Sequence, residues 1–118
     1  MAMKHEELSG RIISVFYDVY NELGCGFLES VYESSMRIAL VEAGLRVTPK
    51  RPLEVYFRGR VVGIFEPDIF VNDLIILELK SCRAIDSAHE AQLLNYLRAT
   101  DIEVGLLMNF GPNLKSSG

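Results

Sequence analysis

Three residues in the middle of the chain have the types and spacing to do chemistry together. Glu78 and Lys80 sit two positions apart in the stretch ELK, so on a strand they project from one face. Asp68 lies ten residues before Glu78. Two carboxylates that converge can hold a hard divalent cation, with water completing its shell. A lysine beside them can orient a water and stabilise charge developing on a phosphate. With Mg²⁺ or Mn²⁺ as the cation, the chemistry is metal-assisted phosphodiester hydrolysis, and no side chain need act as a covalent nucleophile. The plainer alternative is a salt bridge between Glu78 and Lys80 at a sheet margin, because unpaired charge is costly to bury.

Whether the acids converge depends on the elements that carry them. Leu74, Ile75, Ile76 and Leu77 are apolar on both faces, which predicts a strand from Leu74 to Lys80 deep in a sheet. Before it, LEVYF (Leu53–Phe57) and VVGIFEPDIFV (Val61–Val71) read as two strands joined by a turn at Arg58-Gly59-Arg60. Pro67 predicts an edge position, an irregularity or a bulge in the second of these. If Asn72-Asp73 were a two-residue hairpin loop, Asp68 would pair with Leu77 and Glu78 would point to the other face. A shared site therefore requires a three-residue loop or a bulge.

Helices flank these strands. Ile12, Val15, Phe16, Val19 and Leu23 have the spacing of an amphipathic helix, with Ser9 as its N-cap. Gly24-Cys25-Gly26 breaks that helix, and a second runs from about Leu28 to Ala43, placing Glu29 in its first turn and Tyr32 in its core stripe. Glu29 there either complements the helix dipole or serves a site. Ser87 and Glu90 have capping-box spacing and predict a helix to about Ala99, with Gln92 and Tyr96 on one of its faces. His89 begins the same helix, and EVGLLMNF (Glu103–Phe110) forms a last strand. A helix between the third and fourth strands permits a crossover, hence a mixed sheet with helices against its faces.

Composition narrows the setting. A chain of 118 residues suits one domain, residues 1–118, without disulfide staples. No apolar run approaches the roughly 18–20 residues that cross a bilayer, so no membrane role is expected. Cys25 and Cys82 are far apart and suit reduced thiols in a cytoplasm. The net charge of −4 argues against an extended nucleic-acid-binding surface but leaves room for a compact acidic site. Five of the twelve basic residues, Arg46, Lys50, Arg51, Arg58 and Arg60, crowd one stretch, either as a solvated hairpin face or as a phosphate-contacting patch.

Three motifs in one order resemble a known family. Pro67-Asp68, nine intervening residues and Glu78-Leu79-Lys80 resemble the PD-(D/E)XK nuclease pattern. Gly26-Phe-Leu-Glu29-Ser-Val-Tyr32 is similar to the motif that names the GxxExxY proteins of that superfamily, and Gln92-Leu-Leu-Asn-Tyr96 to the Q-x-x-x-Y motif of RecB-like nucleases. The similarity runs from about Leu8 to Lys115. It implies an α/β fold with an αβββαβ core, a mixed sheet flanked by helices, and here one extra N-terminal helix. It also implies roles: Glu29, Asp68 and Glu78 as metal ligands, Lys80 to position the attacking water, and Gln92 and Tyr96 to contact the water or phosphate. The expected partner is nucleic acid, DNA before RNA. The rival expectation is a nuclease-like fold without catalysis that binds nucleic acid or a protein partner, including a second copy of itself as a homodimer.

Overall fold

The computed structural model describes residues 5–112; the ends of the chain, including Lys115 at the limit of the resembling stretch, lie outside the described residues. Helices α1 (Glu6–Leu23) and α2 (Glu29–Glu42) come first, then strands β1 (Val47–Pro49), β2 (Leu53–Phe57), β3 (Arg60–Phe65), β4 (Ile69–Val71) and β5 (Ile75–Lys80). Helix α3 (Ser87–Ala99) and strand β6 (Val104–Asn109) complete the order. The main sheet has the order β1-β4-β5-β6, with β1, β4 and β5 antiparallel and β6 parallel to β5 through the α3 crossover. The mixed α/β class and the crossover are as expected.

Alternation along the central strands sorts the two layers. Ile69, Val71, Ile75, Leu77 and Leu79 face α1 and α2, forming the main core with Ile12, Phe16, Tyr32, Met36 and Leu40. Phe70 and Ile76 face the other way and pack on Leu93 of α3, with Leu53 and Phe65 of the β2–β3 ribbon at the margin. Helix α3 lies close on β6, since a Cβ at Gly105 would come within 2.9 Å of the Leu93 side chain. Both faces of β5 are covered, which is why Ile75, Ile76 and Leu77 are all apolar and fully buried.

Several local expectations are corrected. The stretch 61–71 is two strands, because Glu66-Pro67 interrupts the ladder: β3 pairs only with β2 as a separate ribbon, while β4 enters the main sheet. Pro67 has no N–H to donate, so a ladder breaks there at little loss. Val47–Pro49, to which the sequence assigned no element, forms a short edge strand, where Pro49 is tolerated. Helix α1 starts at Glu6, so Ser9 is no N-cap; it is buried inside the helix and its hydroxyl has no partner among the described residues. The capping box of α3 uses Asp86 and His89, one residue before the expected Ser87 and Glu90. Leu74 belongs to the loop before β5 and is 40% exposed.

The Gly24–Gly26 turn behaves as its sequence suggests. Gly24 and Gly26 adopt φ of 69° and 108°, values that favour glycine. Tyr32 is fully buried, stacks on Phe110 at 4.2 Å, donates to the Gly24 carbonyl at 2.6 Å and accepts from the Phe27 N–H at 3.2 Å. One phenol thus staples the turn to the core.

Candidate active site

The β4–β5 connection decides the acids. Val71 pairs with Ile75, leaving the three-residue loop Asn72-Asp73-Leu74. Asn72 and Asp73 hold φ of 52° and 55°, the left-handed region that these residue types tolerate best after glycine. Arg46 and Arg51 both pair with Asp73, at 3.7 and 2.9 Å, and the Asn72 side chain accepts from the Arg46 N–H at 2.8 Å. Because Ile69 pairs with Leu77, one step outward sets Asp68 opposite Glu78. The longer loop required for convergence is present.

The two acids are tied into each other's strands. The Asp68 N–H donates to Glu78 Oε1 at 3.2 Å, and the Leu79 N–H donates to Asp68 Oδ2 at 2.7 Å. Burial pushes the Glu78 carboxyl up to about 7, and the charge of Asp68 adds to it; the Asp68 N–H, Lys80 and Lys50 act in the opposite direction. Glu78 and Lys80 line a small cleft together with Phe65, His89, Gln92 and Tyr96. Parity explains the gathering, because Asp68, Glu78 and Lys80 point to the α3 face of the sheet. The Tyr96 ring lies flat on Phe65 with centroids 3.9 Å apart, so α3 and the ribbon meet at the cleft wall. His89 Nδ1 accepts from the Asp86 N–H at 3.2 Å, which leaves the proton of the neutral ring on Nε2.

The start of α2 lies near the end of β5, where the Ser81 hydroxyl donates to the Phe27 carbonyl at 3.4 Å. Helix α2 packs on the opposite face of the sheet, and Glu29 is exposed in its first turn, where its charge complements the helix dipole. Among the described residues, no three His, Cys, Asp or Glu side chains group closely enough to hold a metal ion. Asp68 and Glu78 therefore stand as a two-carboxylate set. That set suits Mg²⁺, which keeps several waters and is commonly held by one or two carboxylates plus phosphate oxygens. A cation would also relieve the charge crowding that raises Glu78.

Two further charges were not legible as site residues. Lys50 follows edge strand β1 with φ of 49°, its N–H donates to the Asp68 carbonyl at 3.3 Å, and its Nζ lies 3.5 Å from Glu33. No sequence pattern announces a left-handed lysine. Glu33, one helical turn beyond Glu29, is the shielded carboxylate of α2, its side chain only 14% exposed. Lys50→Met is expected to move the Glu78 pKa still higher, followed through the side-chain carboxyl ¹³C shift. An unmoved titration would put the ammonium out of electrostatic range.

A family model described as the PD-(D/E)XK nuclease superfamily matches residues 6–117. Comparison with curated proteins and with solved structures finds no match.

Proposed function

Since the chain belongs to the PD-(D/E)XK nuclease superfamily, we propose that it hydrolyses phosphodiester bonds of nucleic acid, DNA before RNA, with a divalent cation at Asp68 and Glu78. The observation that carries this reading is the register that sets those two acids side by side, beside Lys80. When bound, Mg²⁺ or Mn²⁺ supplies a Lewis acid for a phosphate oxygen and acidifies water. Lys80 projects from the same face as Glu78 and holds the attacking water by hydrogen bonding, while its charge offsets that building on the phosphate. Gln92, at the cleft rim, donates to a phosphate oxygen. Tyr96 is held in place by Phe65 and offers its hydroxyl to the water or the phosphate.

The proposal leaves Glu29 at its helix terminus rather than at the cation. The GxxExxY resemblance is read as a fold determinant, with Gly26 and Tyr32 building the turn before α2. No helix among the described residues is long and apolar enough to cross a membrane, and both cysteines are free; a reducing cytoplasm is the proposed setting.

The test pairs wild type with Lys80→Met on labelled single- and double-stranded DNA and RNA in Mg²⁺ and Mn²⁺. Cleavage is expected from wild type, falling about 10²–10³-fold in the variant, with cation affinity by calorimetry retained. Wild type that binds nucleic acid but cuts none of the four substrates in either ion would replace this reading with the silent binding module.

A further inference from the structure

The β2–β3 ribbon stands apart from the main sheet as a separate two-stranded pair. Its base is packed, with Leu53 and Phe65 against the α3 layer. Beyond the base it exposes Phe57 (58%), Arg58 and Arg60, an aromatic and two cations within four positions. Arg58 and Arg60 form no ion pair among the described residues, whereas Arg46, Lys50 and Arg51 are all paired. The basic stretch thus divides into a half paired with Asp73 and Glu33 at the sheet and a half without ion pairs at the tip, on a chain of net charge −4.

Two features show that the tip is constructed rather than merely exposed. The turn consists of Arg58 and Gly59 with φ of 51° and 78°, the hairpin geometry that asparagine-glycine fills most easily. Arginine at the first position is strained, and its guanidinium lies over the Phe57 ring at 4.9 Å. The second feature is the register shift between Val55 and Tyr56, which leaves Val62 as an extra residue on β3. Arg60 and Phe65 are five positions apart and would point to opposite faces of a regular strand. The bulge restores them to one face, so Arg60 and its partner Phe57 share the side on which Phe65 meets Tyr96 at the cleft.

We infer that the ribbon is a nucleic-acid arm: Phe57 stacks on an unpaired base while Arg58 and Arg60 hold the flanking phosphates, leading one strand toward the Glu78–Lys80 cleft. This deepens the nuclease reading and rests on it for the destination of the strand. The ligand chemistry is a flexible polyanion with accessible base faces, hence single-stranded DNA or RNA. A duplex offers phosphates but no free base face.

Fluorescence anisotropy with a labelled oligothymidylate in EDTA tests the arm without cleavage. Arg58→Gly suits the left-handed position and so keeps the turn; combined with Arg60→Gln it is expected to weaken binding at least about tenfold. The slope of log affinity against log salt should fall by about 0.7 for each lost phosphate contact. Phe57→Ala should bring the affinity for the single strand down to that for a duplex of equal length. Variants that bind as wild type does would overturn the inference and leave the cleavage proposal standing. So would sedimentation showing a wild-type dimer that Val62→Glu converts to monomer, because the ribbon would then be a subunit contact. Loss of cleavage by Lys80→Met tests the active site and says nothing of the arm.

Discussion

Glu78→Gln is expected to raise the thermal midpoint of the metal-free protein at pH 8 while abolishing cleavage. The folded Glu78 carboxyl titrates near 7, well above the ordinary glutamate range, because burial and Asp68 disfavour its charge. The folded state therefore holds that proton more tightly than the unfolded chain does. Stability from this group is full below the ordinary glutamate pKa, declines as pH rises toward 7, and is flat above. Glutamine cannot ionise and keeps an oxygen to accept from the Asp68 N–H. After discounting for the part of the side chain that water reaches, the gain at pH 8 is about 1–2 kcal/mol, or roughly 5 °C. The difference should vanish near pH 4, and Mg²⁺ should raise the wild-type midpoint but not the variant's. A variant less stable than wild type at pH 8 would mean that Glu78 is not held against its preference.

Gly111→Ala carries the second large effect, at a distance from the carboxylates. A Cβ there would lie 1.7 Å from the Cys82 carbonyl oxygen, a backbone atom that cannot swing away. The contact belongs to a clasp at the end of β5. Asn109 donates to the Cys82 carbonyl at 2.9 Å and accepts from the Cys82 and Gly111 N–H groups at 3.0 and 2.9 Å; the Phe110 N–H donates to the Lys80 carbonyl at 2.7 Å. The clasp fixes the backbone on which Lys80 stands. Urea unfolding should show a loss of about 3 kcal/mol, the upper end of the usual cost of overpacking a buried site. Gly10→Ala provides the comparison, since nothing lies within 4 Å of its new Cβ and a helix-interior alanine gains about 0.5–1 kcal/mol. Equal stability of Gly111→Ala and wild type would show that the clasp can open without loss.

What the sequence disclosed and what it hid follow from how far each signal reaches. The buried run before Glu78 announced a central strand because a strand apolar on both faces must have both faces covered. The α3 helix was legible from its capping-box spacing, although the cap lies one residue earlier, where an aspartate competes with a serine for the same job. The three-residue loop was deducible only conditionally, as the requirement of a shared site. Strand β1 was hidden because three residues ending in proline have no periodicity to read; only pairing with β4 makes them a strand. The side of the sheet taken by α2 was equally hidden, since it depends on which face of β5 the helix covers. The pairing of Glu33 with Lys50 was hidden with it.

The Asn72-Asp73-Leu74 loop has a consequence in the language of heredity. It is a parity element: its length, rather than any side chain in it, decides whether Asp68 faces Glu78 or the opposite layer. Deleting one codon there would turn Asp68 and Glu78 to opposite faces while Asp68, Glu78, Lys80, Gln92 and Tyr96 all remained in the chain. Among related chains, the spacing from Asp68 to Glu78 is therefore a character to read alongside the residues themselves, and a chain that keeps the letters but shifts that interval by one has lost the pair.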